Sequence, residues 1–209
     1  MIYKINSKRP LSWSQISSFE YDKNEWFKKY VLGEKQDSNT TMDFGKRIGE
    51  RLASDPLFLP EVPRYEIFEK KFTARIGKLN LIAFLDSFQR NPMAILEYKT
   101  SSNINRWTQE SAEEHGQILF YLACCWLVYG VPAEYVKCNL IYIPVKENGS
   151  FDLEIDKTTK IQNFEVRHTS KEVLKFLNYI LKTVDRMKEF VKQKNREAAI
   201  DQSNEKILI

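Results

Sequence analysis

The chain has 209 residues, of which 43% are hydrophobic, 13% aromatic and 29% charged, a balance that excludes a disordered polymer and suffices for one good core. Its formal net charge of +4 permits a polyanionic partner without arguing for one. No window reaches the about eighteen apolar residues of a membrane span, and MIYKINSKRPLSWSQ lacks the apolar centre of a secretory leader, so a cytoplasmic protein without a membrane partner is expected.

No Pro/Gly/Ser-rich linker divides the chain, which reads as a single domain over 1–209. Cys124, Cys125 and Cys138 show no CxxC spacing and read as buried thiols of a reducing compartment.

In chain order, Ile16, Phe19, Trp26, Phe27 and Tyr30 recur near helical spacing, predicting a helical segment from Ser12 to Leu32 with Ser12 or Ser14 as N-cap and a break near Tyr21. A second helix over 42–54 carries the stripe Phe44, Ile48, Leu52 and ends before Pro60 and Pro63. The period then changes to two. YEIFEKKFTARI, LNLIAFLDSF and MAILEYKT predict three strands of an antiparallel meander, joined by GKLN and QRNP.

Ser111 and Glu114 suggest a capping box for the apolar helix QILFYLACCWLVY, which Gly130 and Pro132 terminate. YVKCNLIYIPV, FDLEI and FEVRHT read as further strands, with ENGS as a turn. A long helix over about 171–194 places Val173, Leu177, Ile180, Val184, Met187 and Val191 on one seam that packs on the sheet, and the tail from 196 is expected to fray. The fold class is therefore α/β with a central mixed sheet flanked by helices.

The chemistry concentrates in one hairpin. On a strand, Glu97 and Lys99 share a face with Ile95. With a turn centred between Asn91 and Pro92, antiparallel pairing sets Phe88 opposite Ile95 and Asp86 opposite Glu97. Two facing carboxylates repel unless something neutralises them, and a hard divalent cation such as Mg²⁺ does so with one or two carboxylates and its own waters. Lys99 lies roughly 6.6 Å of strand rise beyond Glu97, placed to activate a water or meet a developing anion. The plainer alternative is an ordinary Glu97–Lys99 ion pair on a wet face.

The spacing from Asp86 through ten residues to Glu97-Tyr98-Lys99 resembles the core of the PD-(D/E)XK nuclease superfamily, and the flanking motifs resemble its RecB-like and CRISPR-adaptation-nuclease branch. LSWSQI at 11–16 is similar to that branch's LSxSxI, FGKRIGE at 44–50 lies where its GxxxH helix lies, and Gln117 with Tyr121 matches its QxxxY helix. The resemblance runs from about Leu11 to Tyr121.

It implies a restriction-endonuclease-like core and a Mg²⁺- or Mn²⁺-dependent deoxyribonuclease, often exonucleolytic, in recombination, repair or phage DNA processing. Asp86 and Glu97 would hold the metal with the Tyr98 backbone carbonyl, and Lys99 would assist the attacking water. Gln117 and Tyr121 would support the DNA side, and Trp107, beside Arg106, is a further candidate for strand contact. DNA is the implied substrate and a protein of a recombination or phage replication complex an implied partner, in a bacterial or phage-infected cell.

Two departures stand out. Tyr21-Asp22 occupies the place of the branch's cysteine, so no iron–sulfur cluster is expected. Gly49 stands where the branch has a metal-binding histidine or acid. The neighbouring Glu50 lies about 100° away on an ideal helix and reaches a metal only if the helix turns there; otherwise it partners Lys46 or Arg47. A binding module of the same ancestry without catalysis is therefore the rival reading. His115 and His168, far apart in sequence, read as surface residues.

Overall fold

The computed structural model describes residues 3, 9–35, 40–147 and 153–207, with side chains described as far as residue 200. Helix α1 (Trp13–Tyr21) starts at Ser12, whose extended backbone makes it the N-cap, and buries Ile16 and Phe19. The expected break falls at Asp22, which is extended and cannot continue the helix. Its carboxylate instead starts α2 (Lys23–Phe27) by accepting the Asn24 and Glu25 N–H groups at 2.8 and 3.1 Å. A π turn over Lys28–Leu32 follows and ends at Gly33, whose φ of 77° is available to glycine at little cost.

Helix α3 (Thr40–Ser54) buries Phe44, Ile48 and Leu52, as the stripe predicts. Strands β1 (Ile67–Ile76), β2 (Leu79–Gln89) and β3 (Ala94–Ser101) form the meander. Phe88 pairs with Ile95 in the predicted register. The chain then crosses through α4 (Gln109–Glu113) and α5 (Gly116–Tyr129) to β4 (Lys137–Glu147), which runs parallel to β3. β5 (Leu153–Ile155) and β6 (Gln162–Val166) both pair antiparallel with β4 and complete a six-stranded mixed sheet. The predicted ENGS turn and the start of FDLEI fall outside the described residues.

Three expectations change. The capping box belongs to α4 and is made by Thr108 and Ser111, because the chain bends at Glu114–His115 before α5 begins with His115 as its N-cap. The last helix, α6 (Ser170–Ile207), is longer than predicted and runs through the segment expected to fray. Its apolar seam packs on α5 and α1 rather than on the sheet, because α5 already covers the strands. Glu20 of α1 locks this contact by accepting both Arg186 guanidinium nitrogens at 2.7 and 2.9 Å.

Two cores therefore sandwich the sheet. The larger contains Phe19, Leu85, Ile95, Phe120 and Ile180 under α1, α5 and α6; the smaller contains Phe44, Ile48, Leu96 and Ile141 under α3. Each such fully buried aliphatic or aromatic side chain contributes about 1.5–3 kcal/mol by leaving water. Cys124, Cys125 and Cys138 are buried thiols, and burial pushes Cys125 up to about 12. No helix among the described residues is long and apolar enough to cross a membrane.

Candidate active site

β2 and β3 pair only from Ser87 to Gln89 and from Ala94 to Leu96, then separate. A separating strand exposes backbone groups that must find other partners. On β2, Leu11 pairs beside Leu81, donating its N–H to the Asn80 carbonyl at 2.8 Å and accepting the Ile82 N–H at 2.9 Å. The Tyr121 hydroxyl, from α5, donates to the Phe84 carbonyl at 2.7 Å. Asp86 closes the fork from inside, as its Oδ2 accepts the Tyr98 N–H of β3 at 2.8 Å. The one ladder step that would set Asp86 against Glu97 is thus replaced by a side-chain bond, and the fork opens at that point.

Glu97 occupies the fork, on the last buried turn of the β3 pleat, and is 2% exposed. Its Oε1 lies 2.6 Å from Lys99 Nζ, while its Oε2 is buried without a hydrogen-bond partner. Burial, then the nearby Glu97 charge, oppose ionisation of the Tyr121 hydroxyl, whose proton goes to the Phe84 carbonyl. Burial, then the charge of Glu97, hold the Asp86 carboxyl well above the usual range for an aspartate. An ion pair on a wet face does not describe these groups: Glu97 is buried with its cation Lys99, beside a half-buried Asp86.

Lys99 is held from a second side. Gln117 Oε1 accepts from its ammonium at 2.8 Å, and Gln117 Nε2 donates to the Tyr121 hydroxyl at 2.5 Å. Glu97, Lys99, Gln117 and Tyr121 thus form one hydrogen-bonded chain that β3 and α5 position together. The Tyr98 side chain points the other way, its hydroxyl donating to the Pro63 carbonyl at 2.9 Å.

His115 belongs to this site and not to the surface as expected. Its Nε2 lies 3.3 Å from Gln117 Oε1, and its ring packs edge-on against Trp13 and Trp107 at centroid separations of 6.5 and 5.0 Å. Burial, then the Lys99 charge, depress it to about 4 and keep it neutral. Trp107 is 9% exposed, so it buttresses His115 and presents no open face to a strand. Gly116 is needed here, since a Cβ at that position would fall within the Trp13 indole. His168, also expected at the surface, has a side chain only 7% exposed.

A cavity of about 600 Å³ opens onto Lys99, His115, Gln117 and Tyr121, with Ser12, Ser14 and Ser17 of the α1 start on its rim. A larger one, about 1190 Å³, lies between α3 and the β5–β6 side and is lined by none of Lys99, His115, Gln117 and Tyr121. Asp86 and Glu97 line neither cavity; the smaller one is the candidate site because Lys99, which holds Glu97, lines it together with the perturbed His115 and Tyr121.

Helix α3 contributes less than its motif suggests. A Cβ on Gly49 would meet open space, and Glu50 is 64% exposed and 3.8 Å from Lys46. α3 is regular through this stretch, so Glu50 stands as a surface partner of Lys46. Among the described residues no three His, Cys, Asp or Glu side chains are gathered into a ready metal cage. Two features nevertheless fit a hard divalent cation: an orphaned buried carboxylate oxygen on Glu97, and a half-buried second acid, Asp86, whose charge that carboxylate opposes.

Sequence reasoning missed Glu69 of β1. Residues on either side pair with β2, Phe68 with Ser87 and Lys70 with Leu85, but the intervening Glu69 and Asp86 do not. Glu69 has a φ of +48°, and the alternation of core-facing residues slips by one on both strands here. Its signal in the sequence is faint, since EKK in a strand reads as a solvated edge.

No protein-family model matches the chain, and no curated protein does. Solved structures do. A protein from Eubacterium rectale described as a candidate exonuclease aligns with a TM-score of 0.56 at 11% identity, over 90% of this chain and 83% of its own. A phage-related exonuclease from Haemophilus somnus aligns with a TM-score of 0.50 at 13% identity, over 88% and 81%. The chain has the fold of these exonuclease structures, an α/β core with a central mixed sheet between helices.

Proposed function

We propose that the chain is a divalent-metal-dependent DNA nuclease of the PD-(D/E)XK type, in its RecB-like branch, that hydrolyses phosphodiester bonds from DNA ends. The observation that carries this reading is Glu97: a carboxylate buried in a fork between strands, with one oxygen on Lys99 and the other unpartnered beside a second, half-buried acid. A structural ion pair has no use for that orphan oxygen, which costs about 1–3 kcal/mol to leave unpaired. The names of the two structural neighbours favour the same chemistry and, at their identities, only through the fold.

Asp86 and Glu97, with the Tyr98 carbonyl, would hold Mg²⁺ or Mn²⁺, which when bound supplies Lewis-acid polarisation of a phosphate and a lower pKa for water. The chain's own residues do the rest. Gln117 and Glu97 fix the Lys99 ammonium between them, so it meets an incoming water or a charge developing on phosphate without having to reorganise. Tyr121 fixes Gln117 in turn. Neutral His115 adds no competing cation beside Lys99, and its flanking rings keep bulk water from that side.

A second reading has one observation in its favour. Gly49 leaves open space where the branch has a metal-binding side chain, as in a module that has lost catalysis and kept the docking of DNA or a protein partner. Degradation of end-labelled linear DNA under Mg²⁺, Mn²⁺ or EDTA separates the two. Metal-dependent cleavage supports the nuclease, and salt-sensitive binding without cleavage under any metal supports the module.

A further inference from the structure

Glu69 and Asp86 form the single pair missing between Phe68–Ser87 and Lys70–Leu85 in an otherwise continuous ladder. Both strands slip phase at this step. On β1, Phe72 and Ala74 face the larger core, and so does Ile67; on β2, Leu81, Ala83 and Leu85 face it, and so does Phe88. A glutamate at φ +48° is an unusual occupant of such a step, because its Cβ crowds the backbone where a glycine would not. A side chain kept where the backbone prefers none points to use of that side chain.

What it could be used for is set by its neighbours. Exposed Glu69 stands opposite Asp86 on the ladder and lies within electrostatic reach of Glu97 and Asp86, and also of Glu50 and Lys46 of α3. An acid cluster alone says little, but Glu97 is 2% exposed and its Oε2 has no partner, an independent sign that this cluster receives a cation. The acids do not form a closed cage among the described residues. Mg²⁺ does not ask for one, since it keeps several of its waters and is held partly through them.

We propose that Glu69 is the third carboxylate of the metal site, holding the ion through its water ligands from β1, where α3 has no side chain at Gly49. The role rests on the nuclease reading of the fork and deepens it. It also explains how the site can do without a side chain at Gly49: the missing acid is supplied by an unpaired step in a strand instead of a helix.

The test is calorimetric titration of the full-length protein with Mn²⁺ alone, comparing wild type, Glu69→Gln, Glu69→Gly, Asp86→Asn and, as a charge control, the exposed Glu66→Gln. Both Glu69 variants should weaken Mn²⁺ binding about tenfold or more, as loss of a group that holds a metal's outer ligands does. Glu66→Gln should leave it unchanged. Glu69→Gly should melt no lower than wild type, because glycine accepts the backbone at this step, which separates loss of a ligand from loss of the fold. Wild-type Mn²⁺ affinity in Glu69→Gln, with binding lost in Asp86→Asn, would overturn the role of Glu69 and leave the fork as the metal site. No Mn²⁺ binding by the wild type would overturn the reading of the fork itself and the role of Glu69 with it.

Discussion

Lys99 Nζ lies 2.6 Å from Glu97 Oε1, while the other oxygen of that carboxylate is buried without a partner. Half of the group is thus satisfied by the protein and half is left for something else. This division, on a strand whose preceding residues are core, is what turns an acid and a base two places apart into a site.

Lys99 should be required for chemistry and not for folding. Lys99→Ala should lower the DNA cleavage rate by about 10²–10⁴-fold, the usual contribution of a positioned proton-transfer group. Its melting temperature should fall too, because the change strips the buried Glu97 carboxylate of its cation, so rates are compared well below the melt of the variant. Rates on end-labelled DNA beside a thermal melt check this; metal-dependent cleavage at the wild-type rate would remove Lys99 from the mechanism.

Asp86 should be a site where activity is bought with stability. Its carboxyl titrates well above 3.8 because burial, then Glu97, disfavour its charge. The stability it contributes is therefore fully present below the unfolded value and is lost as pH rises through the folded one. Asp86→Asn keeps an oxygen to accept the Tyr98 N–H and removes the charge. The metal-free variant should melt higher than wild type at neutral pH and cleave nothing, and a lower melt would contradict the account of burial.

His115 carries the opposite sign. Held neutral down to about 4 against an ordinary 6.5, it stays unprotonated while the unfolded chain takes up a proton. Stability should fall as pH drops from 6.5 towards 4 and gain no further slope from His115 below that, a loss of about 3 kcal/mol when complete. Subtracting the urea-derived stability of His115→Phe from that of wild type at each pH isolates this slope from that of Asp86. A difference flat across the window would show that His115 is solvated.

Tyr121 should matter through one oxygen. Tyr121→Phe leaves the Phe84 carbonyl and Gln117 Nε2 without their partner in a buried fork, at about 1–3 kcal/mol. The melt should drop accordingly. Cleavage should slow through kcat with little change in KM, because Gln117 loses the anchor by which it positions Lys99.

The hairpin was legible because a turn centred on Asn91-Pro92 fixes the register by counting, and Phe88 does face Ile95. Helix α3 was legible because Phe44, Ile48 and Leu52 have one period and one core to serve. Glu69 was not, since the slip that frees it appears only when β1 is laid against β2 and both change phase at once. His115 was hidden for a different reason: its burial comes from Trp13 and Trp107, which nothing local ties to it. The seam of α6 named five buried residues and the half-buried Val184 but not Phe176 or Thr183, and a seam does not say whether a sheet or another helix covers it.

The most direct measurement is degradation of end-labelled linear DNA, single- and double-stranded, by wild type and Asp86→Asn in Mg²⁺, Mn²⁺ or EDTA. The account predicts loss of DNA from its ends with either metal, none in EDTA, and none in the variant. Cleavage that survives EDTA, or that Asp86→Asn retains, would contradict it, and salt-sensitive binding without any cleavage would leave a docking module in its place.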